Sequence, residues 1–547
     1  MTAQQFDQTF DYVIVGAGSA GCILAERLSR NSTTTVCVLE AGPSDASSLK
    51  TRWLIKTPLG FLNLIRNPRF NWMYAYEAEK SLEGRALPCP RGKLLGGSSS
   101  INASHYVRGH RYDFDLWASL GCTGWDYESV LPFFKGMERW LGPDSLYHGK
   151  NGTLTVGKQP DPHPANEAFL RAAQERQYRL NPDYNGADQE GFGYYQLNQD
   201  KGERVSSSRA FLHQALARPN VTILTDVLCQ RVLLEDGKAI GVQTEVAGKP
   251  SRIGARAEVI LSAGVIGSTQ LLLLSGIGPA EQLASLGIPI VRDLPGVGEN
   301  LQDHPITTVA YESDDASLFG ISAGAIPWLI RAPFQYLFAR RGPFTSSAFE
   351  SGGFVKTTPD EEAPDVQLSF SPANVAKLAN GDVVPRGHGY SIHCALLRPK
   401  SRGTITLKSA DARSAPVIRG NFLDHPDDLA TLVRGLRLTR QIALSPSLTD
   451  RYKPVEVMPG QNVEDQAGLE RFIRSACGTA FHPVGTCKMG TDDLAVVDPR
   501  LKVRGVDALR VIDASIMPTL VGGNTNAASM MIGDKGAAMI IEDRLAG

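Results

Sequence analysis

The stretch from Asp11 to Gly21, DYVIVGAGSAG, restricts what this chain can fold into more than any other. Tyr12 to Val15 form a short apolar, β-branched run of the kind that becomes a fully buried central strand. Gly16, Gly18 and Gly21 follow at the spacing GxGxxG. They suit, in turn, a tight turn, a close approach of backbone to a pyrophosphate, and close packing of a helix on the strand. That helix, expected from about Ala20 to Ser29, turns its N-terminal N–H groups towards the phosphates. A second buried strand, Thr35 to Leu39, ends on Glu40, whose carboxylate suits the hydroxyls of an adenosine ribose. A glycine-rich surface turn has no need of strand, helix, strand and terminal acid in that order, so a dinucleotide site is expected. These residues alone leave NAD and FAD open.

At 547 residues the chain exceeds one ordinary core, and two large domains, in series or interleaved, are expected. A net charge of -1 gives no general reason to expect nucleic acid or an anionic membrane as partner. The N-terminus lacks a basic segment followed by an apolar run, so neither a secretory nor a twin-arginine signal fits and a cytoplasmic protein is expected. Eight scattered cysteines without a CxxC pair read as reduced and buried, and the histidines show no metal-ligand spacing, so no metal is expected.

Further along, Trp72, Tyr74 and Tyr76 alternate as in a strand or lid edge, with packing as the simpler reading. Arg91 to Asp115, RGKLLGGSSSINASHYVRGHRYDFD, places Gly96, Gly97 and three serines where a planar or phosphorylated ligand must lie close to backbone. Ser and Asn favour caps over helix interiors, so the helix expected there is weakly specified and a ligand role is favoured.

This stretch resembles the first signature of the glucose-methanol-choline (GMC) family of FAD-dependent oxidoreductases. Gly264 to Gly278, GVIGSTQLLLLSGIG, resembles the second, with Val265 for a usual small residue and Thr269 for a usual Pro or Ser. Those departures are expected to alter a helix start without loss of cofactor. FHPVGTCKMG at Phe481 to Gly490 and DASIMPTLVGGNTNAA at Asp513 to Ala528 extend the match over nearly the whole chain. The overall pattern is most similar to bacterial choline and alcohol dehydrogenases.

The resemblance implies a two-domain α/β architecture. A Rossmann-like FAD-binding domain is expected at 1–310, an interleaved substrate domain on an antiparallel sheet at 311–490, and a return to the first domain at 491–547. The implied FAD site joins the glycine turn (Gly16, Gly18, Ser19, Ala20, Gly21) and Glu40 with Ala41 to Trp72, Arg91, Gly97, Ser98, Asn102 and Ala103. Cys229 holds the place of a Val whose backbone contacts adenine in relatives, and Ala263, Asp513, Ala514, Asn524 and Thr525 complete the site. Ala527 and Ala528 open a helix expected to point at the electron-rich end of the reduced flavin. FAD is expected to be non-covalent, because Ile101 stands before Asn102 where some relatives carry a linking His.

The same resemblance implies that His482 takes a hydroxyl proton while the amide of Asn526 holds the substrate oxygen. An imidazole with an unperturbed pKa of about 6.5 suits that role. Asp303 and His304, in LPGVGENLQDHP, read as a structural turn and not as a catalytic dyad. The expected activity is FAD-dependent oxidation of a primary alcohol to an aldehyde, by hydride transfer to flavin N5, with electrons passing to a quinone or other acceptor. The alternative is an oxidase of the same family that uses O2 and forms H2O2. More distant are a redox-silent lyase and a photodecarboxylase, the latter disfavoured by Leu397 where that enzyme has Cys before Arg-Pro. Glu350 is a candidate carboxylate for a quaternary ammonium substrate, but the apolar run Leu318 to Phe338 favours neutral alcohols. Pro327, Arg331 and Pro333 interrupt that run. It is expected to cap the pocket without spanning a membrane, with peripheral membrane contact as a further candidate role.

Overall fold

The computed structural model of the protein describes residues 5–375 and 387–546. Residues 1–4, 376–386 and 547, which fall within the three expected domain spans, lie outside the described residues. The first apolar run is a strand, β1 (Gln8–Val15), buried over its last four residues and followed by helix α1 (Ser19–Leu28). β1 lies between β2 (Val36–Leu39) and the strand Lys249–Leu261, parallel to both. Val221–Leu224 extends the parallel set beyond β2, and Leu509–Val511 extends it beyond Lys249–Leu261. The first half of Lys249–Leu261 instead pairs antiparallel with Lys238–Val246, which pairs in turn with Val227–Glu235. Asp226, at φ 57°, separates Val221–Leu224 from Val227–Glu235.

The far end of the chain backs the first motif. The helix Asn526–Ala546 packs on α1, and a Cβ at Gly533 would stand 2.8 Å from Ala20 Cα. Arg27 Nε donates to Asp534 Oδ1 across that contact at 2.6 Å.

A second, antiparallel sheet runs in the order Val455–Met458, Pro305–Ser313, His388–Leu396, Val366–Ser371, Ser351–Val355, Gly191–Tyr194, with Gly478–Thr479 pairing on Pro305–Ser313. The helix Pro426–Ala443 covers it, so close that a Cβ at Gly435 would meet Cys394 Sγ at 2.5 Å. The architecture is thus a Rossmann-like parallel core joined to an antiparallel sheet. A boundary at residue 310 cuts the strand Pro305–Ser313, and the outer strand Gly191–Tyr194 comes from the span expected for the first domain. An otherwise bare sheet edge is covered by that borrowed strand.

The helix expected after Gly96 is a single 3-10 turn, Gly97–Ser100. Gly96 and Gly97 sit at φ 87° and 51°, and Ser99 Oγ and Ser100 Oγ donate back to the carbonyls of Gly96 and Leu95 at 2.5 and 2.8 Å. Side chains that serve the backbone locally in this way compete with helix propagation. At the second signature the helix Gly264–Leu274 forms intact, and Thr269 Oγ1 donates to the Val265 carbonyl at 2.8 Å.

Substituting Gly533→Val should force α1 and the last helix apart and cost about 1–3 kcal/mol, as overpacked cores do. A lowered melting temperature with weaker flavin retention is the expected readout; an unchanged melting temperature would contradict the packing described.

Candidate active site

A cavity of about 550 Å³ opens between the parallel core and the antiparallel sheet. Every residue expected to bind FAD or to act on the substrate oxygen lines it except Gly21, whereas the candidate carboxylate Glu350 does not. Gly21 lies against the turn itself, where a Cβ would meet the Gly16 carbonyl oxygen at 2.0 Å.

On the parallel-core side the wall is bare backbone. A Cβ on Gly16 would stand 2.4 Å from the Ser262 carbonyl oxygen, and one on Gly97 would stand 2.8 Å from Gly18 Cα. The carboxylate of Glu40 accepts from the N–H groups of Ala17 and Gly42 at 3.1 and 2.9 Å. Burial pushes its pKa up to about 7. Asp513 turns its carboxylate to Gly264 N, Ser268 Oγ, Ser515 N and Ser515 Oγ, and so holds the start of the helix Gly264–Leu274 at the cavity wall. Asn102 Oδ1 accepts from Arg204 Nη1 at 2.8 Å and from Ser104 N at 2.9 Å, which leaves its Nδ2 donor to the cavity. Arg204 is itself buried, and its other partners are Ser104 Oγ and the carbonyls of Ile55, Pro58 and Ser99.

His482 follows Phe481, a bulky residue held at φ 63°. Such a conformation persists only where its surroundings impose it. Here Arg91 Nη2 donates to the Phe481 carbonyl, and Asp303 Oδ1 accepts from His482 N at 2.8 Å. Asp303 also accepts from His304 N, Tyr76 Oη and Thr479 Oγ1 at 2.8, 2.7 and 2.5 Å. The imidazole has two neighbours: its Nε2 lies 3.2 Å from Asn524 Nδ2, and its Nδ1 lies 3.0 Å from His304 Nδ1. Gln367 Nε2 stands 3.5 Å from Asn524 Oδ1, which agrees with the amide nitrogen facing His482. An amide nitrogen only donates, so His482 Nε2 carries the lone pair and Nδ1 carries the proton given to His304. Burial, with His304 and Arg91 nearby, holds the His482 pKa far below the ordinary imidazole value.

Two expectations are corrected. Asn524, and not Asn526, faces His482; Asn526 opens the last helix and its Oδ1 accepts from Ser19 Oγ at 2.7 Å. The two residues are separated by one position at a turn entering a helix, so their side chains diverge. Glu350 does not line the cavity. It is buried among four donors, Gln159 Nε2, Ser346 Oγ, His163 N and Asn166 Nδ2, at 2.6 to 2.7 Å, and braces the chain there.

Other lining residues escaped the sequence reading. Gln367 and Ser369, then His393 and Ala395, come from adjacent strands of the antiparallel sheet. Their spacing of two is the only signal that sequence offered. His393 accepts or donates at Nδ1 to Thr308 Oγ1, while its buried Nε2 has no protein partner. The rest of this wall is apolar, with Phe61, Ile65, Trp72, Ile306 and Phe349. The carboxylates lining the cavity are Glu40 and Asp513, both placed by the parallel core, whereas Arg91 stands near His482.

The chain is similar to known proteins along nearly its whole length. The N-terminal profile of the GMC oxidoreductases matches residues 10–306 and the C-terminal profile matches 399–533. An alcohol dehydrogenase [acceptor] of Pseudomonas putida is 43% identical over 97% of this chain and 96% of its own length. An oxygen-dependent choline dehydrogenase of Sinorhizobium medicae is 41% identical over 97% of this chain and 95% of its own. Among solved structures, a formate oxidase variant of Aspergillus oryzae studied for FAD modification is similar with a TM-score of 0.90 and 27% identity, covering 99% of this chain and 100% of that one. With two profiles, full-length relatives and a shared fold in agreement, the chain belongs to the GMC oxidoreductase family.

Proposed function

We propose that this chain oxidises an uncharged primary alcohol to its aldehyde, with His482 as the base, Asn524 as the group that holds the substrate oxygen, and a quinone or another acceptor taking the electrons. The observation that carries the reading is the pairing of His482 Nε2 with Asn524 Nδ2, 3.2 Å apart at the cavity wall, a hydrogen bond that a substrate hydroxyl can enter by accepting from the amide and donating to the imidazole. FAD is the cofactor of this family of oxidoreductases, and the residues present suit it. The glycine walls admit a pyrophosphate against backbone, the Glu40 carboxylate accepts ribose hydroxyls, and Asn102 Nδ2 offers a donor to the isoalloxazine region. Ile101, before Asn102, has no nucleophile to form a covalent link.

When bound, FAD supplies the acceptor for the α-hydride. The alcohol oxygen accepts from Asn524 Nδ2 while its hydroxyl proton goes to His482 Nε2. Arg91 and Asp303 hold the two polar groups of the one peptide that joins Phe481 to His482, and His304 fixes the imidazole tautomer through Nδ1. Apolar side chains along the antiparallel wall exclude water from the carbon being oxidised.

The charge pattern favours a neutral substrate. A quaternary ammonium requires aromatic faces and a carboxylate within reach, and the described residues that line the cavity beside His482 include Arg91 and no carboxylate, since Asp303 is buried behind the wall with its oxygens taken by four donors. The name of the P. putida relative supports an acceptor other than oxygen, whereas that of the choline dehydrogenase relative supports oxygen as a second reading. Anaerobic bleaching of the flavin by benzyl alcohol or octanol, with slow recovery in air, is expected. Fast recovery would favour the oxidase, and bleaching by choline in preference to both alcohols would overturn the substrate class.

His482→Ala should retain FAD and slow flavin reduction by at least about 100-fold. Because His482 stays neutral far into the acid range, wild-type flavin reduction should show no loss as pH falls through about 6.5, the ordinary imidazole value. A limb centred there would contradict the assignment. Glu40 protonates below about 7 in the apoprotein. The carboxylate form is the one that accepts ribose hydroxyls, so FAD affinity should fall by about tenfold per pH unit below that point. Glu40→Gln should bind FAD weakly and without that slope; an unaltered pH dependence in this variant would remove Glu40 from the ribose site. Acid precipitation should release free flavin.

A further inference from the structure

Among the described residues, exposed large apolar side chains recur most closely along the chain between Ile326 and Phe338, on one of two neighbouring elements. Helix α2 spans Leu49–Lys56, and helix α3 spans Ile326–Phe334 and continues as a wider turn over Gln335–Ala339. Ile326, Ile330, Phe334, Leu337 and Phe338 recur at helical spacing on one side of α3 and its continuation, and Phe338 is 85% exposed. Ala332 and Tyr336 are buried on the other side. α2 adds Leu49, 86% exposed. The two elements form one plate. Trp53 of α2 meets the rings of Tyr336 and Phe344 edge-on at 6.4 Å, and Lys56 and Arg340 share the carboxylate of Glu203.

The two stretches of chain that form the plate carry charge of one sign, and Glu203, from elsewhere in the chain, meets Lys56 and Arg340 at its edge. Between Asp45 and Glu77 the chain carries five Lys or Arg and no carboxylate, and between Asp315 and Glu350 it carries three Arg and no carboxylate. The whole chain has a net charge of -1. Arg331 and Arg341 are exposed and make no ion pair with a described residue. Apolar side chains in a stripe, flanked by cations, are the composition of a helix that lies in the headgroup layer of an anionic bilayer. Among the described residues no helix is long and apolar enough to cross a membrane.

We propose that the plate formed by α2 and α3 is a peripheral membrane-binding surface that seats on anionic lipid. A protein partner of opposite charge would need to cover bulky apolar side chains as well as cations, and a bilayer offers acyl chains and phosphates in that order of depth. The plate also adjoins the cavity: Phe61 and Ile65, just beyond α2, line it. If the alcohol reading holds, amphiphilic alcohols and a lipid-dissolved quinone reach the site from the bilayer; the contact itself does not depend on that reading.

Flotation of the FAD-loaded full chain with vesicles of phosphatidylcholine alone, or mixed with phosphatidylglycerol, tests the proposal without using turnover. The chain should float with the anionic vesicles and less so as salt is raised. The exposed-site pairs Arg331→Gln with Arg341→Gln, and Ile330→Ser with Phe338→Ser, should each lower partitioning at least about 10-fold. Both variants should keep bound flavin and oxidation of a soluble alcohol, which shows that they fold. Wild-type chain left in the soluble fraction with anionic vesicles would overturn the proposal, as would equal flotation of all variants. A dimer in sedimentation that Phe338→Ser dissolves, without vesicle binding by wild type, would assign the plate to a second copy of the chain.

Discussion

Three lengths of backbone meet at the wall of the cavity with no side chain between them, and the remainder of the structure is arranged to permit it. The turn after β1 lies against the end of Lys249–Leu261, the 3-10 turn Gly97–Ser100 lies against Gly18, and Gly92 lies against Gly97, where a Cβ would come within 2.2 Å of the Gly97 carbonyl carbon. Contacts this short exclude any residue but glycine. A helix N-terminus and several backbone donors are thereby turned to one concave surface, an anion-binding arrangement that needs no cationic side chain. α1 can hold its angle to that surface because the last helix of the chain presses against its other side at Gly533.

His482 depends on a separate constraint, the single buried carboxylate of Asp303. It draws together Tyr76, Thr479 and the backbone of both His304 and His482, residues that enter from three places in the sequence. Phe481 is strained at φ 63°, at a cost on the order of 1–3 kcal/mol, and the bonds of Arg91 and Asp303 to the one peptide that joins it to His482 offset it. The ring is therefore positioned before any substrate arrives, and what remains is for the substrate hydroxyl to enter the bond between Nε2 and Asn524.

Most of the cofactor wall was legible in sequence because its chemistry is local. Gly16, Gly18, Gly21 and Glu40 act through backbone geometry that spacing alone dictates, and all four stand as expected in relation to the turn. The substrate wall was less legible because it is assembled by strand register across the antiparallel sheet, and Gln367 and His393 come from strands whose pairing no short motif announces. The choice between Asn524 and Asn526 turned on the direction in which a chain enters a helix, which spacing by two does not reveal. Asp303 and His304 were visible as a motif, but they form a short link between the bridge at Gln302 and the strand Pro305–Ser313 and not the expected turn. What they support lies about 180 residues away and is seen only in the fold.

The hydrogen bond between His304 and His482 also governs where a proton can travel. Burial holds the His304 pKa down to about 3 and the His482 pKa far below the ordinary imidazole value as well, so neither ring is a lasting proton store. With Nδ1 committed to His304, a proton taken by His482 in the proposed reaction sits at Nε2, the atom that faces Asn524 at the cavity wall. An acid this strong returns its proton readily, so recovery of the free base is tied to whatever acceptor next reaches the cavity.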